Sequence, residues 1–413
     1  MFNTDKRIII LGIARMADSL GNSFLIVVLP LYIASEKVHG NFFNLSESFI
    51  TGLILGLFGL VTSFSQPFAG RLSDKFGKRK LFVLFGLGLF TIANFSYSFA
   101  HTYWLLMIIR ATQGLAAALT ITASLALVSE LSEQQNRGNN MGVYNSFRLI
   151  GFGAGPLISG VVVQGGPYAL PIIGSINGFV ASFYIASAAA LLGAILVTLL
   201  VGDPEDTQPS SRKMSIRIRS SKKGKLLDPI FALGLATLIM SFGFSLLAPI
   251  ETETNQRLGQ SPFIFSIEFS ALIGILAIAQ PLVGKASDKY GRKIFIVIGL
   301  LSLIPAVLAQ GLATQPWHMI AARAFQGVSA AMVLAPSLAL AGDLAEKGQT
   351  GSQLSVVTMA FGLGISLGSF FSGYAIRFGY VVPFIVGAML AGLGVLLVRT
   401  QVPKDRPVKT TEH

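Results

Sequence analysis

The chain lacks cysteine altogether and is poor in charged side chains, which make up only 12% of its 413 residues. Without thiols, neither a disulfide framework nor a thiolate metal site can form. Acidic residues are the scarcer kind, 19 against 31 Lys and Arg, so the net charge is +12. A nucleic-acid partner is nevertheless not expected, because the basic residues stand in short loops between apolar segments.

Apolar segments fill most of the chain. Hydrophobic residues make up 52% of it, and its 44 glycines suit membrane helices, which use small residues to pack closely. A transmembrane helix needs roughly 20 mostly apolar residues. Twelve segments satisfy this requirement, at 8–34, 48–69, 81–99, 103–129, 141–164, 173–200, 230–250, 263–283, 294–313, 317–342, 352–377 and 380–399. The sequence therefore predicts an all-α integral membrane protein with twelve transmembrane helices.

Lys and Arg are distributed unevenly over the predicted loops. If the N-terminus is cytoplasmic, 24 of the 31 fall in cytoplasmic loops and tails, and only Lys37, Arg257 and Arg377 lie outside. The positive-inside rule then places both termini in the cytoplasm. The first segment lacks a small-residue cleavage site, so we interpret it as a retained span and not as a signal peptide. Short loops and tails fit a multi-pass protein of a prokaryotic plasma (inner) membrane.

Two stretches nearly repeat each other at a distance of 214 residues, Gly70–Arg79 and Gly284–Lys293. Each is a short basic turn between two membrane-length segments, and such duplication is typical of secondary transporters. A polar stretch with seven basic residues divides the segments six from six. This predicts an N-terminal six-helix bundle (1–201), a cytoplasmic basic linker that attracts anionic lipid headgroups (202–228), and a C-terminal bundle with a short cytoplasmic tail (229–413).

Over essentially its whole length the chain resembles the major facilitator superfamily. The first basic turn is similar to the family motif G-x-L-[AS]-D-[RK]-x-G-[RK]-[RK] at Gly70, Leu72, Asp74, Gly77, Lys78 and Arg79. Segments 4 and 10 resemble the R-x-x-Q-G motif, at Arg110, Gln113 and Gly114 and at Arg323, Gln326 and Gly327. Segment 5 is similar to the G-x-x-x-G-P-x-x-G-G motif of the proton-driven drug antiporters at Gly151, Gly155, Pro156 and Gly160, with Ser159 in place of a glycine. The resemblance implies two pseudo-symmetric six-helix bundles and alternating access.

The basic turns are candidates for a conformational latch, which the resemblance implies. Asp74 would face the N-terminal end of segment 11 near Gly351, where the helix dipole favours a carboxylate by roughly 0.3–1 kcal/mol. Glu130 and Arg137 would complete a charge network. The latch set is Gly70, Asp74, Gly77, Arg79, Glu130, Arg137, Gly284, Asp288 and Gly291. The alternative is a solvated basic turn that only sets topology.

The small residues of segment 5 also have two interpretations. The spacings from Gly151 to Gly155 and from Pro156 to Gly160 place small groups on one stripe, which lets a neighbouring helix approach closely. A sealed interface between rocking halves and plain helix packing both explain this stripe, and the sequence leaves both open.

Charged residues inside the predicted segments are functional candidates, because a charge at the bilayer centre costs at least ~2.5–3.5 kcal/mol. They are Arg15, Asp18, Arg110, Arg148, Glu268 and Arg323. Arg148 lies near the cytoplasmic end of its segment and is expected to snorkel to the interface. Arg15 either does the same or pairs with Asp18, three residues further on the same face.

Asp18 and Glu268 are the proton-carrying candidates, since a carboxylate in a low-dielectric setting can exchange protons near neutral pH. Through the repeat they align with Thr237 and Ile54, so neither acid is a structural part of the repeat. The alternatives are an internal salt bridge for Asp18 and an outer-vestibule position for Glu268.

The resemblance further implies that an acid of the first helix and Arg110 serve one transport cycle. At ~1.5 Å of rise per residue, Asn22 is a better geometric partner for Arg110 than Asp18 is. Cavity-lining candidates are Arg15, Asn22, Gln113, Tyr144, Phe147, Ser241, Arg323 and Gln326. A cavity with acids, amides and aromatic rings would suit lipophilic cations.

Three functions are weighed. The first is a proton-coupled antiporter that exports drugs or lipophilic small molecules. The second is a symporter or a transporter of lipids or anionic metabolites, favoured if Arg15, Arg110 and Arg323 bind an anionic group. The third is a membrane scaffold or receptor that transports nothing, and it has little support because no loop is large enough for a signalling domain. The sequence contains no phosphate-binding glycine loop, metal cluster or nucleophile constellation. We therefore expect a monomer that is not an enzyme, needs no metal or cofactor, and uses the proton gradient.

Overall fold

The structure is a computed structural model that describes residues 5–35, 37–39, 43–132, 137–170, 174–202, 217–220, 225–345 and 350–403. Thirteen α-helices occur in these ranges: α1 (Lys6–Ile33), α2 (Glu47–Phe76), α3 (Arg79–Ser96), α4 (Tyr103–Glu130), α5 (Arg137–Gly165), α6 (Gly178–Leu200), α7 (Pro229–Ser245), α8 (Glu251–Leu258), α9 (Pro262–Tyr290), α10 (Arg292–Leu312), α11 (Pro316–Leu344), α12 (Thr350–Ala375) and α13 (Val382–Gln401). Short 3₁₀ turns lie at Tyr97–Phe99, Ala248–Ile250 and Ile376–Phe378, and β1 (Tyr168–Leu170) pairs antiparallel with β2 (Gly174–Ile176).

Twelve helices of the described residues are long and apolar enough to cross a membrane, which confirms the predicted fold class. The twelve spans arise from thirteen helices because α7 and α8 form one span, Pro229–Leu258, that is interrupted by a 3₁₀ turn. The small antiparallel pair of β1 and β2 departs from an all-α chain, as do two isolated β-bridges, His39–Thr102 and Arg219–Leu227.

Local sequence signals account for several helix ends. The side chain of Asp228 accepts hydrogen bonds from the first backbone amides of α7, and Pro229 occupies the first helical position, where a missing N–H costs nothing. At the C-terminal end of α2, Gly77 caps the helix with a φ of 64°, a left-handed conformation that glycine adopts without steric cost. The predicted turn after segment 2 therefore has its conformational basis in one glycine.

The chain divides into two compact units, residues 1–212 with 261–270 and residues 213–260 with 271–413. Within the first unit, α1 packs on α5 and α6, and α3 packs on α4 and α6. Within the second, α7 packs on α12 and α13, and α10 packs on α11 and α13. The same pairing pattern thus occurs once in each unit. The predicted linker boundaries stay a prediction, since much of 202–228 lies outside the described ranges.

Glycines bring α1 and α5 together at backbone distance. A Cβ at Gly151 would collide with the carbonyl oxygen of Met16, and one at Gly155 would lie 2.9 Å from the carbonyl oxygen of Leu20. Gly12 in turn leaves room for the ring of Phe147. All three pairs are separated by 135 residues, so the two helices run side by side in a fixed register.

Candidate functional site

An ion pair lies inside α1. Arg15 Nη1 donates to both carboxylate oxygens of Asp18, at 2.9 and 2.7 Å, and Ser19 Oγ donates to one of them at 3.0 Å. The Asp18 side chain is 1% exposed and that of Arg15 is 11% exposed. The pairing expected from the three-residue spacing is therefore present in a buried setting, where each charge depends on the other for its stability.

Arg148 adds a second positive charge to this pair. The register of α1 and α5 puts Arg148 level with residue 13 of α1, and its guanidinium interacts electrostatically with Arg15, Asp18 and Tyr144. The hydroxyl of Tyr144 is itself hydrogen-bonded to Ser124 of α4. The sequence suggested that Arg148 snorkels to the interface. The structure places its charge within electrostatic range of the Arg15–Asp18 pair, because the glycines of α5 let the two helices approach.

A network of amide side chains surrounds Arg110 in the same unit. Arg110 Nη1 donates to Asn22 Oδ1 at 3.1 Å and to Gln113 Oε1 at 3.0 Å. Gln113 Nε2 donates to Asn94 Oδ1 at 2.7 Å, and the Tyr97 hydroxyl donates to Gln113 Oε1 at 2.9 Å. The predicted contact of Arg110 with Asn22 is present. Sequence reasoning missed Asn94 and Tyr97, although a lone asparagine in an apolar segment was a usable signal.

The second copy of this motif binds backbone instead. Arg323 Nη1 donates to the Phe244 carbonyl at 3.1 Å and to Gln326 Oε1 at 2.9 Å, and Gln326 Nε2 donates to the Gly243 carbonyl at 2.9 Å. These carbonyls belong to the last turn of α7, where helical partners are missing. The motif in the second unit therefore caps the end of a broken membrane helix. Gln310 Nε2 also donates to Gln326 Oε1, at 3.1 Å.

The predicted latch residues of the first unit meet around Arg79. Its guanidinium contacts Asp74 at 2.5 Å, Glu130 at 3.0 Å and Ser73 Oγ at 2.9 Å, and its side chain is only 7% exposed. The side chain of Arg137 lies outside the described part of the chain. A contact of Asp74 with the start of segment 11 stays a prediction.

A matching triad lies in the second unit. Arg292 contacts Asp288 at 2.9 Å and also pairs with Asp343. Arg292 and Asp343 follow Arg79 and Glu130 by 213 residues each, whereas the repeat of the basic turns spans 214 residues and pairs Arg79 with Lys293. Sequence reasoning missed this second triad. The turn between α9 and α10 is made by Gly291, at a φ of 102°, and Gly284 lies one and a half turns before the end of α9.

The remaining predicted residues occupy varied positions. Ser241 donates to the Leu238 carbonyl of its own helix at 3.1 Å, and Gly160 of the segment 5 motif leaves room for Ser266. Glu268 is fully buried. A further buried acid, Glu251, begins α8, where the sequence had suggested an outer loop. Whether these side chains line a cavity stays a prediction.

Comparison with known proteins decides the family. The profile of the Major Facilitator Superfamily matches residues 11–231 and 233–413, nearly the whole chain. The chain belongs to the major facilitator superfamily. Its folded units and their repeated motifs are therefore those of a membrane transporter family.

Among curated members of the superfamily, the quinolone resistance protein NorA of Staphylococcus aureus is 27% identical over 266 residues. This match spans 64% of the present chain and 62% of NorA, less than two thirds of either. The uncharacterized MFS-type transporter MJ1560 of Methanocaldococcus jannaschii is 22% identical over 391 residues, 92% of each chain.

Two solved transporter structures have the same fold. A bacterial homolog of the human lysosomal transporter Spinster, inward-facing and occupied, gives a TM-score of 0.73 at 16% identity, covering 95% of this chain and 93% of that one. The human organic anion transporter MFSD10 (TETRAN) gives 0.68 at 18% identity, covering 95% and 99%. At these identities the likeness concerns the fold alone.

Proposed function

We propose that this superfamily member is a proton-coupled antiporter that exports drugs or other lipophilic small molecules by alternating access. It would act as a monomer in the plasma (inner) membrane with both termini cytoplasmic. The likeness to NorA supports drug export, and the segment 5 motif supports antiport. Asp18, Glu268 and Arg110 are the residues proposed for proton coupling.

The observation that carries the proposal is the buried carboxylate of Asp18 in a membrane-spanning helix. A charge in this setting is expensive and is retained where it serves transport. A proton on Asp18 would release Arg15, and a lipophilic cation would compete with that proton for the same carboxylate. Because of this competition the protein binds either the proton or the cation, which is what antiport requires.

Arg110 would not bind the proton or the cation itself but would be coupled to their exchange through α1. Its partner Asn22 lies one helical turn beyond Asp18 on α1, so both groups respond to the same movement of that helix. The energy would come from the proton gradient, and no metal or cofactor is invoked.

The test is efflux of a fluorescent lipophilic cation from cells that express wild type, Asp18→Asn, Glu268→Gln or Thr237→Val. Thr237 is a buried polar residue of the second unit whose hydroxyl donates to a carbonyl of its own helix, so Thr237→Val is the control. We expect a protonophore and Asp18→Asn each to abolish wild-type efflux, and Thr237→Val to retain it. Efflux that survives in Asp18→Asn but not in Glu268→Gln would move the proton to Glu268. Efflux indifferent to the protonophore would refute proton coupling.

A second candidate function is symport, or transport of an anionic metabolite or lipid. It requires a site with excess positive charge, and Arg148 next to the Arg15–Asp18 pair provides one. Absence of cation efflux from well-expressed wild type would favour this candidate.

A further inference from the structure

The cluster between α1 and α5 has two guanidinium groups and one carboxylate. Asp18 interacts electrostatically with both Arg15 and Arg148, and these two arginines act on each other. α6, which packs on α1 through Gly193 against Ala14 and Ala17, carries no charged residue. One positive charge therefore remains in excess at a partly buried position, an arrangement that an anion would stabilise.

The guanidinium of Arg15 has donors to spare. Only its Nη1 is engaged with Asp18, and its buried Nε has no hydrogen-bond partner among the residues that the structure describes. Nearby polar groups are committed to each other or to Asp18: the Tyr144 and Ser124 hydroxyls form one pair, and Ser19 donates to the carboxylate. A bidentate anion is the partner that fits free guanidinium donors.

We infer that Arg15 and Arg148 bind the carboxylate or phosphate group of an amphiphilic substrate. This inference rests on the second candidate function, transport of an anionic substrate, and assigns a substrate class to the site of Asp18. The bound anion takes the place of the Asp18 carboxylate on Arg15, and Asp18 then accepts a proton because it has lost its counter-ion. Arg148, which lies outside the motifs quoted above, is the residue that distinguishes anionic substrates from neutral ones.

The sign of the coupling follows from this exchange. Protonation of Asp18 and binding of the anion favour each other, so the anion binds more tightly as the pH falls. A cation at the same carboxylate would show the opposite dependence. The charged and titratable groups that face Asp18 are Arg15 of its own helix and Arg148 and Tyr144 of α5, and Arg15 and Arg148 remain charged throughout this range.

The test measures binding to the purified full-length protein in uncharged detergent. The probe is 11-(dansylamino)undecanoic acid, and its methyl ester is the neutral match. A charge-assisted contact should make the acid bind about 10- to 100-fold more tightly than the ester. Arg148→Gln should remove most of this preference while ester binding stays, and Arg148→Lys should keep part of it. The matched control is Arg377→Gln, an exposed arginine stacked on Tyr374, which should keep all of it.

The pH dependence of binding separates two cases: the anion replaces the Asp18 carboxylate on Arg15, or the anion is attracted to the arginines without any change at Asp18. Between about pH 8 and pH 6 the probe carboxylate stays ionised, yet wild-type affinity for it should rise. Asp18→Asn should bind the acid at least as tightly as wild type and without pH dependence.

Equal binding of acid and ester by wild type would overturn the inference, and so would an unchanged preference in Arg148→Gln. Because binding needs no proton gradient, a failed efflux experiment leaves this result standing, and the reverse also holds. Displacement of the acid by dioleoylphosphatidylglycerol but not by phosphatidylcholine would identify a lipid headgroup as the anion. Displacement by neither would identify a soluble amphiphile.

Discussion

Gly151 packs on the Met16 carbonyl in the first unit as Gly364 packs on the Leu238 carbonyl in the second. This register places Thr237 and Met240 where the first unit has Arg15 and Asp18, so the sequence alignment of Asp18 with Thr237 was three residues out of register. The second unit fills this region with apolar contacts, since Gly234 packs against Val356 and Ala360. Thr237 is buried, and its hydroxyl donates to the Leu233 carbonyl of its own helix. A charge cluster is therefore not needed to build this helix pair, and this difference is a reason for the transport role that we propose for it.

The packing of the two helix pairs is otherwise alike. Gly155 of α5 accommodates Ser23 of α1, and Gly368 of α12 accommodates Ser245 of α7 in the same manner. Both serines donate to a carbonyl three residues earlier in their own helices. Small residues thus set the helix spacing in both units. The second helix pair packs in the same way without the charges that the first one carries.

The two R-x-x-Q motifs differ in what they hold. Arg110 binds the side chain of Asn22 on an unbroken helix, whereas Arg323 and Gln326 bind backbone carbonyls at the end of α7. A side-chain contact can be exchanged during a conformational change, whereas a capped helix end keeps a break in place. We therefore expect the first unit to be the more sensitive one to side-chain substitution.

The strongest contrast should be between Asp18→Ala and Thr237→Ala. Removing one partner of a buried ion pair costs about 3–5 kcal/mol, whereas Thr237 loses only a bond within its own helix, about 1 kcal/mol or less. The double variant Arg15→Met/Asp18→Leu should recover most of the loss. Unfolding in dodecyl sulfate, followed by circular dichroism, measures all three, and equal losses in the two single variants would contradict the asymmetry.

The two arginine-centred triads should differ less in their contribution to stability. Arg79 is 7% exposed and its acids 36% and 28%, whereas Arg292 is 13% exposed and its acids 51% and 59%. Arg79→Gln should cost about 1.5–3 kcal/mol and Arg292→Gln about 0–1 kcal/mol. The same unfolding assay at low and high sodium chloride checks this. High salt should reduce the effect at Arg292 more, and a larger loss at Arg292 would reverse the comparison.

A third contrast tests whether glycines set the helix spacing. A Cβ at Gly86 would overlap Thr120 Oγ1 and lie 2.8 Å from the Ala116 carbonyl oxygen, whereas one at Gly88 meets nothing within 4 Å. Gly86→Ala should cost about 1–3 kcal/mol by overpacking, and Gly88→Ala should be neutral or gain up to ~1 kcal/mol. Thermal unfolding in detergent compares them, and equal midpoints would argue against tight packing of α3 on α4.

The smallest contrast concerns the polar network. Asn22→Ala removes an acceptor of Arg110 and should cost about 0.5–1.5 kcal/mol. Ser241 bonds only within its own helix among the contacts described, so Ser241→Ala should change stability by a few tenths of a kcal/mol. The midpoints of unfolding in dodecyl sulfate measure both losses of stability. A greater loss at Ser241 would show that the two motifs do not differ as described.

Much of the architecture was predictable because it depends on local composition. Twelve runs of apolar residues, the basic turns and the repeat predicted the spans and the family, and the structure and the family match confirmed them. The pairing of Arg15 with Asp18 followed from a three-residue spacing on one helix. The triad of Asp288, Arg292 and Asp343 was harder to find, because the 214-residue repeat pairs Arg79 with Lys293 and not with Arg292.

By itself, the sequence determined which segments enter a membrane and which charges they take with them, because transfer into hydrocarbon depends on the residues of each segment alone. Tertiary structure decided which of those charges meet. The charge of Arg148 lies within electrostatic range of Arg15 and Asp18 because glycines fix the register of α5 on α1. Arg323 caps α7 because that helix breaks beside it. Such contacts depend on the relative positions of two helices, which the composition of neither helix specifies.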